Sequence, residues 1–566
     1  MNCHKCAEAT LRGLVQLNRR LPHVLSAVLI LVCMRLGVSA HEASLDVNTS
    51  TDTRSTATAE WCKAALEIPG RQPVRVLRSS SDTSDVSVAP VLALSLSGGG
   101  YRAMLFHVGT LRRLNDSGLL PHLSVVSSVS GGSVTAAYLA YRWQNLRFDN
   151  SDRAENFADV VEAPLRRLAR YTLDIPSVTR GLLPFSSSAT EQAKKFDSQL
   201  FHRALLADIA PGGSNGTTTR PRPLFILNAT NLKTGELWQF RSSAIGGPIT
   251  HWTAPGNVRL AEAVAASSGF PPFLSPLILE LPETDVGLNW HDCSNFRDNP
   301  YGISYRNEPG RVLPQDDKTL ALLRRQIYLT DGGVRDNLGI STVEEINRLR
   351  RLDGIEEVTV TLISDGGATT AFDAKPSTNW LSQAFRVLNL MADQPDEVRV
   401  ANIIRQGSAR LRSFGWSATE SSDECPTAEI PEDLERARRR AASDRMADAY
   451  AYWSIRRRPK LHRGFECPPD IPRWMVQEVR ALSSVPTAFR AMSDQLQARL
   501  INWGYLAAHH GIPYVDAAWP DPGVRQRWLS PCSLPYGPPS TDPKGEDPSA
   551  RDARCLGLAS SGYGVK

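Results

Sequence analysis

The sequence predicts an α/β fold built on a layered sheet. Two observations carry that prediction. Val91–Leu96 and Leu123–Val129 are short apolar, β-rich runs that end at serine and glycine, and each leads into residues with helical spacing. Repeated strand–turn–helix units are the pattern of a sheet with helices laid on its faces.

The elements follow in order. Val91–Leu96 stops at a glycine cluster and reads as a buried strand. From Arg102 to Leu119, the residues Met104, Leu105, Val108, Leu111 and Leu114 recur at helical spacing, with Gly118 near the end. Leu123–Val129 is the second strand, and Val134–Trp143 the second helix. Residues 150–210 alternate helical patterns with proline breaks at Pro176 and Pro184. Leu224–Leu227 is a third strand candidate. Leu260–Ser268 is an alanine-rich helix closed by Gly269-Phe270-Pro271-Pro272. Ile327–Thr330 runs into Asp331-Gly332-Gly333, and Val358–Ile363 runs into Ser364-Asp365-Gly366-Gly367, as two further strands. Residues 377–410 and 431–505 read mostly as helices, with basic clusters at Arg438–Arg440 and Arg456–Arg458. For those clusters a solvated helix face is the plainer reading, and contact with anionic headgroups the alternative. Beyond 516, Pro, Gly, Ser and Asp predict irregular chain. No internal repeat occurs.

At 566 residues the chain can bury a large core. Its 42% hydrophobic and 22% charged residues are those of an ordinary globular protein, and a net charge of +5 gives no reason to expect nucleic-acid binding. Residues 1–40 have the build of an export signal. Arg12, Arg19 and Arg20 precede the apolar run Val24–Met34, and Val38-Ser39-Ala40 ends in small residues. The expectation is an exported chain, periplasmic, secreted or membrane-associated, with a retained signal anchor as the alternative. Residues 41–89 then read as a disordered lead-in. Six cysteines follow the signal: Cys62, Cys293, Cys425, Cys467, Cys532 and Cys555. An even number permits disulfides in an exported chain. Bridges are expected in the C-terminal third, where four of the six lie; buried thiols are the alternative. No Cys or His cluster has zinc spacing, so no metal and no cofactor is expected.

Three segments can carry chemistry. Ser130 stands in Ser128-Val129-Ser130-Gly131-Gly132, between strand and helix, where small neighbours leave a nucleophile exposed. A helix N-cap explains the same string. Gly98-Gly99-Gly100 allows consecutive N–H groups to converge on a phosphate or an oxyanion. The Tyr101-Arg102 that follows excludes a P-loop ending and spoils a dinucleotide fingerprint. Asp331 and Asp365 each end a strand before two glycines, at the sheet edge where sites of open α/β folds gather. A turn-forming Asp-Gly explains either.

In order and spacing these segments resemble the patatin-like and cytosolic phospholipase superfamily. The resemblance rests on Ser97–Met104, the Ser130 turn, and Asp331-Gly332-Gly333-Val334-Arg335-Asp336-Asn337-Leu338-Gly339. Two softer segments, Asn228–Glu236 and Ala265–Pro271, add to it. It covers roughly residues 91–344. It implies a three-layer α/β/α sandwich with a central, mostly parallel sheet over 91–344, with sheet completion and a helical extension over 345–515; the irregular tail is 516–566. It also implies a lipid acyl hydrolase working through a Ser–Asp dyad. Ser130 would be the nucleophile and Asp331 the base. Gly99 and Gly100 would form the oxyanion hole, and Arg102 would support that loop or meet a substrate phosphate. The implied partner is a lipid at a membrane or micelle surface, with no nucleic acid and no obligatory protein partner. The resemblance chooses Asp331 over Asp365 through the Asn-Leu-Gly continuation. One departure is Ser128, where the family's turn has glycine.

Two rival readings follow from the same residues. A Ser-His-Asp esterase would recruit His462, His509 or His510, and the expectation is that a dyad shows no controlling ionisation near the histidine value of about 6.5. A non-catalytic lipid-binding protein on the same fold is the other.

Overall fold

The structure is a computed structural model that describes residues 60–62, 64–66, 91–174, 188–212, 220–271, 274–281, 290–291, 293, 317–352, 359–367, 383, 396–401, 449–456, 473–511 and 534–536. The predicted signal, the basic cluster Arg438–Arg440, the four C-terminal cysteines and most of the expected tail lie outside the described residues, which all fall in the unit Ser55–Lys566.

Among the described residues, ten strands form one sheet. They are β1 (Val91–Leu96), β2 (Leu123–Val129), β3 (Leu224–Asn231), β4 (Leu237–Phe240), β5 (Ile245–Gly247), β6 (His251–Thr253), β7 (Leu277–Glu280), β8 (Gln326–Asp331), β9 (Thr359–Asp365) and β10 (Ala449–Ser454). The path runs β10-β9-β1-β2-β3-β4-β5-β6, with β8 on β3 and β7 on β8. From β10 to β3 all pairings are parallel; from β3 outward all are antiparallel. The sheet is thus mixed, with a parallel centre and an antiparallel flank of short strands.

The described α-helices of nine residues or more are α1 (Gly100–Asp116), α2 (Gly131–Arg142), α3 (Ser188–Phe196), α4 (Leu260–Ser268), α5 (Asp317–Arg325), α6 (Ile340–Leu352), α7 (Arg473–Ser483) and α8 (Asp494–Gly511). Strand alternation assigns the layers. Leu92, Leu94 and Leu96 of β1 join Val126, Phe225 and Leu227 in the main core, under α1, α2, α4 and α8. The intervening Ala93, Val125, Leu224 and Ile226 pack on Val343 and Ile346 of α6 on the other face. That is an α/β/α sandwich with helices continuing past the core.

Helix α8 seats closely on α1. A Cβ built on Gly504 would stand 1.8 Å from the Phe106 carbonyl oxygen, and one on Gly109 would stand 2.0 Å from that of Ile501. Only glycine lets these two backbones approach so far.

Two expectations are corrected. The span 431–505 is not mostly helical throughout, because Ala449–Ser454 is a strand that pairs β9 in parallel. Its Tyr450 and Tyr452 alternate with alanine, a period-two pattern that suits an edge strand. Arg456 is not on a solvated helix face but in the turn after β10, ion-paired to Asp365 at 2.9 Å. Among the described residues a disulfide joins Cys62 to Cys293, with Cα atoms 5.7 Å apart. It ties residues 60–66 to the antiparallel flank, where Leu66 accepts from Arg241 and Trp61 stacks on His291.

Candidate active site

Strand registers bring the site together. β4 takes one edge of β3 at Leu227–Thr230, and β2 takes the other, with Val129 opposite Asn228. β8 continues along that second edge, with Asp331 opposite Ala229. Parallel β2 and antiparallel β8 therefore meet head to head. The residues at their meeting ends are Ser130 and Asp331.

Ser130 sits in the turn between β2 and α2 at φ 52° and ψ −121°, a conformation that L-residues rarely adopt. The turn is held from three sides. The Ser130 N–H donates to Ser267 Oγ at 3.0 Å. Its carbonyl starts α2 by accepting from the Ser133 and Val134 N–H groups. Its hydroxyl is near enough to the Asp331 carboxylate to favour the charged form of that group. The side chain is buried, with 5% of the residue exposed. Ser128 does not disturb this geometry. Its hydroxyl lies 3.0 Å from Ser133 Oγ and donates to the Ile226 carbonyl at 3.3 Å.

Asp331 is buried and accepts the Gly333 N–H at 2.7 Å. Burial pushes its carboxyl up to about 7, against the opposing pull of the Gly333 N–H and the Ser130 hydroxyl. No histidine is among the groups that set its acidity. Asp365, the other candidate, is committed elsewhere. It is buried against Arg456, Tyr452, Ser454 and the Gly367 N–H. The Arg456 guanidinium leads these partners in holding its carboxyl down to about 2, against burial.

The glycine segment packs directly on the turn. A Cβ on Gly98 would stand 3.1 Å from Ser130 Cβ, and one on Gly131 would stand 2.1 Å from the Gly100 carbonyl oxygen. Gly99 and Gly100 have φ 140° and 59°. Among the described residues no acceptor takes the N–H of Gly99, Gly100 or Gly131. Arg102 is fully buried. Its guanidinium donates to the carbonyls of Gly366 (2.9 Å) and Val485 and to Thr487 Oγ1 (2.9 Å), so it is placed as a brace for the loop.

Sequence reasoning did not single out three residues that frame the site. Ser267 takes the Ser130 N–H and itself donates to the Asn228 carbonyl at 2.6 Å. Asn228 donates to the Ser128 carbonyl at 3.0 Å and accepts from Thr342. Asn337 accepts the Gly98 N–H at 3.0 Å through its carbonyl, and its side-chain oxygen sits over Gly98 and Gly333. All three lie inside segments that carried the resemblance, so the signal was present without a role attached. His107 is a fourth. Its Nε2–H donates to the Ser97 carbonyl at 2.9 Å, which leaves Nδ1 to accept from Ser364. Burial holds it down to about 4, so it stays neutral.

Residues 94–343 match the patatin-like phospholipase family. Over that span the fold is patatin-like. Ser130, Asp331 and the glycine segment all lie within the matched span. Among solved structures, human GIVD cytosolic phospholipase A2 is similar over 84% of this chain and 66% of its own, at 14% identity and a TM-score of 0.39. The chain thus spans just under two thirds of that enzyme. VipD from Legionella pneumophila is similar over 84% of this chain and 98% of its own, at 14% identity and a TM-score of 0.22. ExoU from Pseudomonas aeruginosa, solved with SpcU, is similar over 78% and 77%, at 12% identity and a TM-score of 0.20. No curated protein matches. The patatin-like match supports hydrolase chemistry for the core; it says nothing of residues 344 onward.

Proposed function

We propose that the chain is a lipid acyl hydrolase that cleaves carboxylic esters through Ser130 and Asp331. One observation carries the reading. A serine in a strained turn stands beside a buried carboxylate at the meeting ends of β2 and β8, against a glycine loop whose N–H groups meet no acceptor among the described residues.

In the proposed reaction Ser130 Oγ attacks the ester carbonyl carbon as Asp331 takes its proton. The carbonyl oxygen becomes an oxyanion at the Gly99 and Gly100 N–H groups, with the Gly131 N–H beside them. The C–O bond to the alcohol breaks, and Asp331 returns its proton to the leaving oxygen. Water, deprotonated by Asp331, then attacks the acyl-enzyme and releases the fatty acid and free Ser130. A carboxylate is a weak base for an alcohol, and raising it towards 7 narrows the gap. Preorganised oxyanion donors do the rest, at about 3–4 kcal/mol each.

Export and action at a membrane or micelle surface belong to the same proposal. The support is the signal-like segment at 1–40 and the general habit of patatin-like enzymes. No described helix is long and apolar enough to cross a membrane. The test is mass-spectrometric identification of products from a mixed phospholipid and neutral-lipid extract, run beside Ser130→Ala. Fatty acid released by the parent and not by the variant is expected. Equal release by both would remove Ser130 as the nucleophile.

A further inference from the structure

The patatin-like match ends at residue 343, yet the glycine loop is held by a segment far beyond it. Residues 484–492 link α7 to α8 and cross over Gly100 and Tyr101. The Tyr101 N–H donates to the Ala488 carbonyl at 3.1 Å, and a Cβ on Gly100 would stand 2.6–2.7 Å from Ala488 oxygen and nitrogen. Arg102 reaches the same segment twice, at the Val485 carbonyl and at Thr487 Oγ1. Arg102 Nη2 also packs over Gly99, 2.8 Å from where a Cβ would be. A line of direct contact thus runs from Thr487 through the guanidinium to Gly99.

The far side of the segment is pinned as well. The Leu173 N–H donates to the Phe489 carbonyl at 2.7 Å, the Phe489 N–H to Asp174 at 2.8 Å, and the Met492 N–H to the Ala169 carbonyl at 2.8 Å. The Phe489 ring is buried edge-on against Tyr101 and Phe196. The segment is therefore a fixed strap, with one side on the core and the other on the loop. A fork-shaped guanidinium with several acceptors has one orientation, which fixes what rests on it.

We propose that Thr487 is a positioning residue for the oxyanion loop: through Arg102 it sets where the Gly99 and Gly100 N–H groups stand when charge develops on the substrate. This rests on the acyl-hydrolase reading above. Oxyanion donors act on the transition state more than on the bound ester, so a displaced loop lowers kcat and leaves KM nearly unchanged.

The test compares the full-length parent, Ser130→Ala, Thr487→Val and Thr487→Ser on one soluble chromogenic ester. Valine keeps the shape and loses the acceptor; serine keeps the acceptor. Thr487→Val is expected to lower kcat about tenfold with KM within about twofold, one lost charge-assisted hydrogen bond being of that order. Thr487→Ser is expected to stay near the parent, and the pH profile to keep its midpoint in both. A Thr487→Val variant with parental kcat would overturn the proposal. So would a Thr487→Ser variant as slow as Thr487→Val, since the methyl group would then be what matters. Full activity in Ser130→Ala would instead bring down the hydrolase reading and this inference with it, which keeps the two failures apart.

Discussion

Replacing Asp331 by asparagine should make the protein more stable at alkaline pH while removing its activity. Burial raises the Asp331 carboxyl from its ordinary 3.8 to about 7. That is roughly a thousandfold in proton affinity, or on the order of 4 kcal/mol. The sign follows from which state holds the proton. Below pH 4 the group is protonated in folded and unfolded chains alike. Between pH 4 and 7 the unfolded chain ionises while the folded chain keeps its proton, so stability falls as pH rises. Above 7 the folded carboxylate is charged in a dry site, and the full difference has been lost. Asparagine never ionises, and its side-chain oxygen can still accept the Gly333 N–H. Urea denaturation of Asp331→Asn and the parent should therefore nearly coincide at pH 3 and diverge by on the order of 4 kcal/mol at pH 8. The turnover of the variant should fall about a thousandfold, within the range for a lost general base. A variant no more stable than the parent at pH 8 would refute the claim that Asp331 is held charged against burial.

Four further outcomes are expected. The pH–rate profile should rise through about 7 as Asp331 loses its proton, and the limb should survive in His509→Ala; its disappearance there would hand the base role to histidine. Ser130→Gly should be inactive yet more stable by about 1 kcal/mol, because glycine tolerates φ 52°; a lower melting temperature would count against strain. Arg456→Ala should destabilise by about 3–5 kcal/mol near neutral pH by stranding the buried Asp365 charge. Since that carboxyl is held at about 2, the loss should shrink as pH falls from 4 towards 2, and an unchanged urea midpoint at pH 7 would speak against it. Cys62→Ser opens a link across 231 residues, and chain entropy sets roughly 5 kcal/mol as the scale of the lost stability; calorimetry with and without reductant measures it.

β1, β2 and β9 in the parallel centre were legible because each is a largely apolar run that leads into glycines. Val91–Leu96, Leu123–Val129 and Leu260–Ser268 have the bounds that their patterns predict. The antiparallel flank was not legible. β5 and β6 have three residues each, too few for any period to show, and their pairing depends on partners distant in sequence. Ala449–Ser454 was hidden because it is short and lies amid arginine-rich sequence. At the site, Ser130 and Asp331 stood out as residues at strand ends before glycines. That they meet head to head along β3 is a matter of register, which no local pattern carries. The expected pH criterion also shifts. Burial of Asp331 is a tertiary fact, and it places a carboxylate limb where a histidine limb was to be the discriminator, so the pH profile separates the two only beside a histidine variant.

The strap and α8 also set an order of events. Arg102 and Val485 are 383 residues apart in the chain, and α1 cannot take its close seat on α8 until Gly504 has been made. Synthesis runs from the N-terminus, so Ser130 and Asp331 emerge and can pair well before the glycine loop has its anchor. Closing so distant a contact is slow relative to local folding. A growing chain therefore carries the Ser130 turn early and the braced glycine loop last.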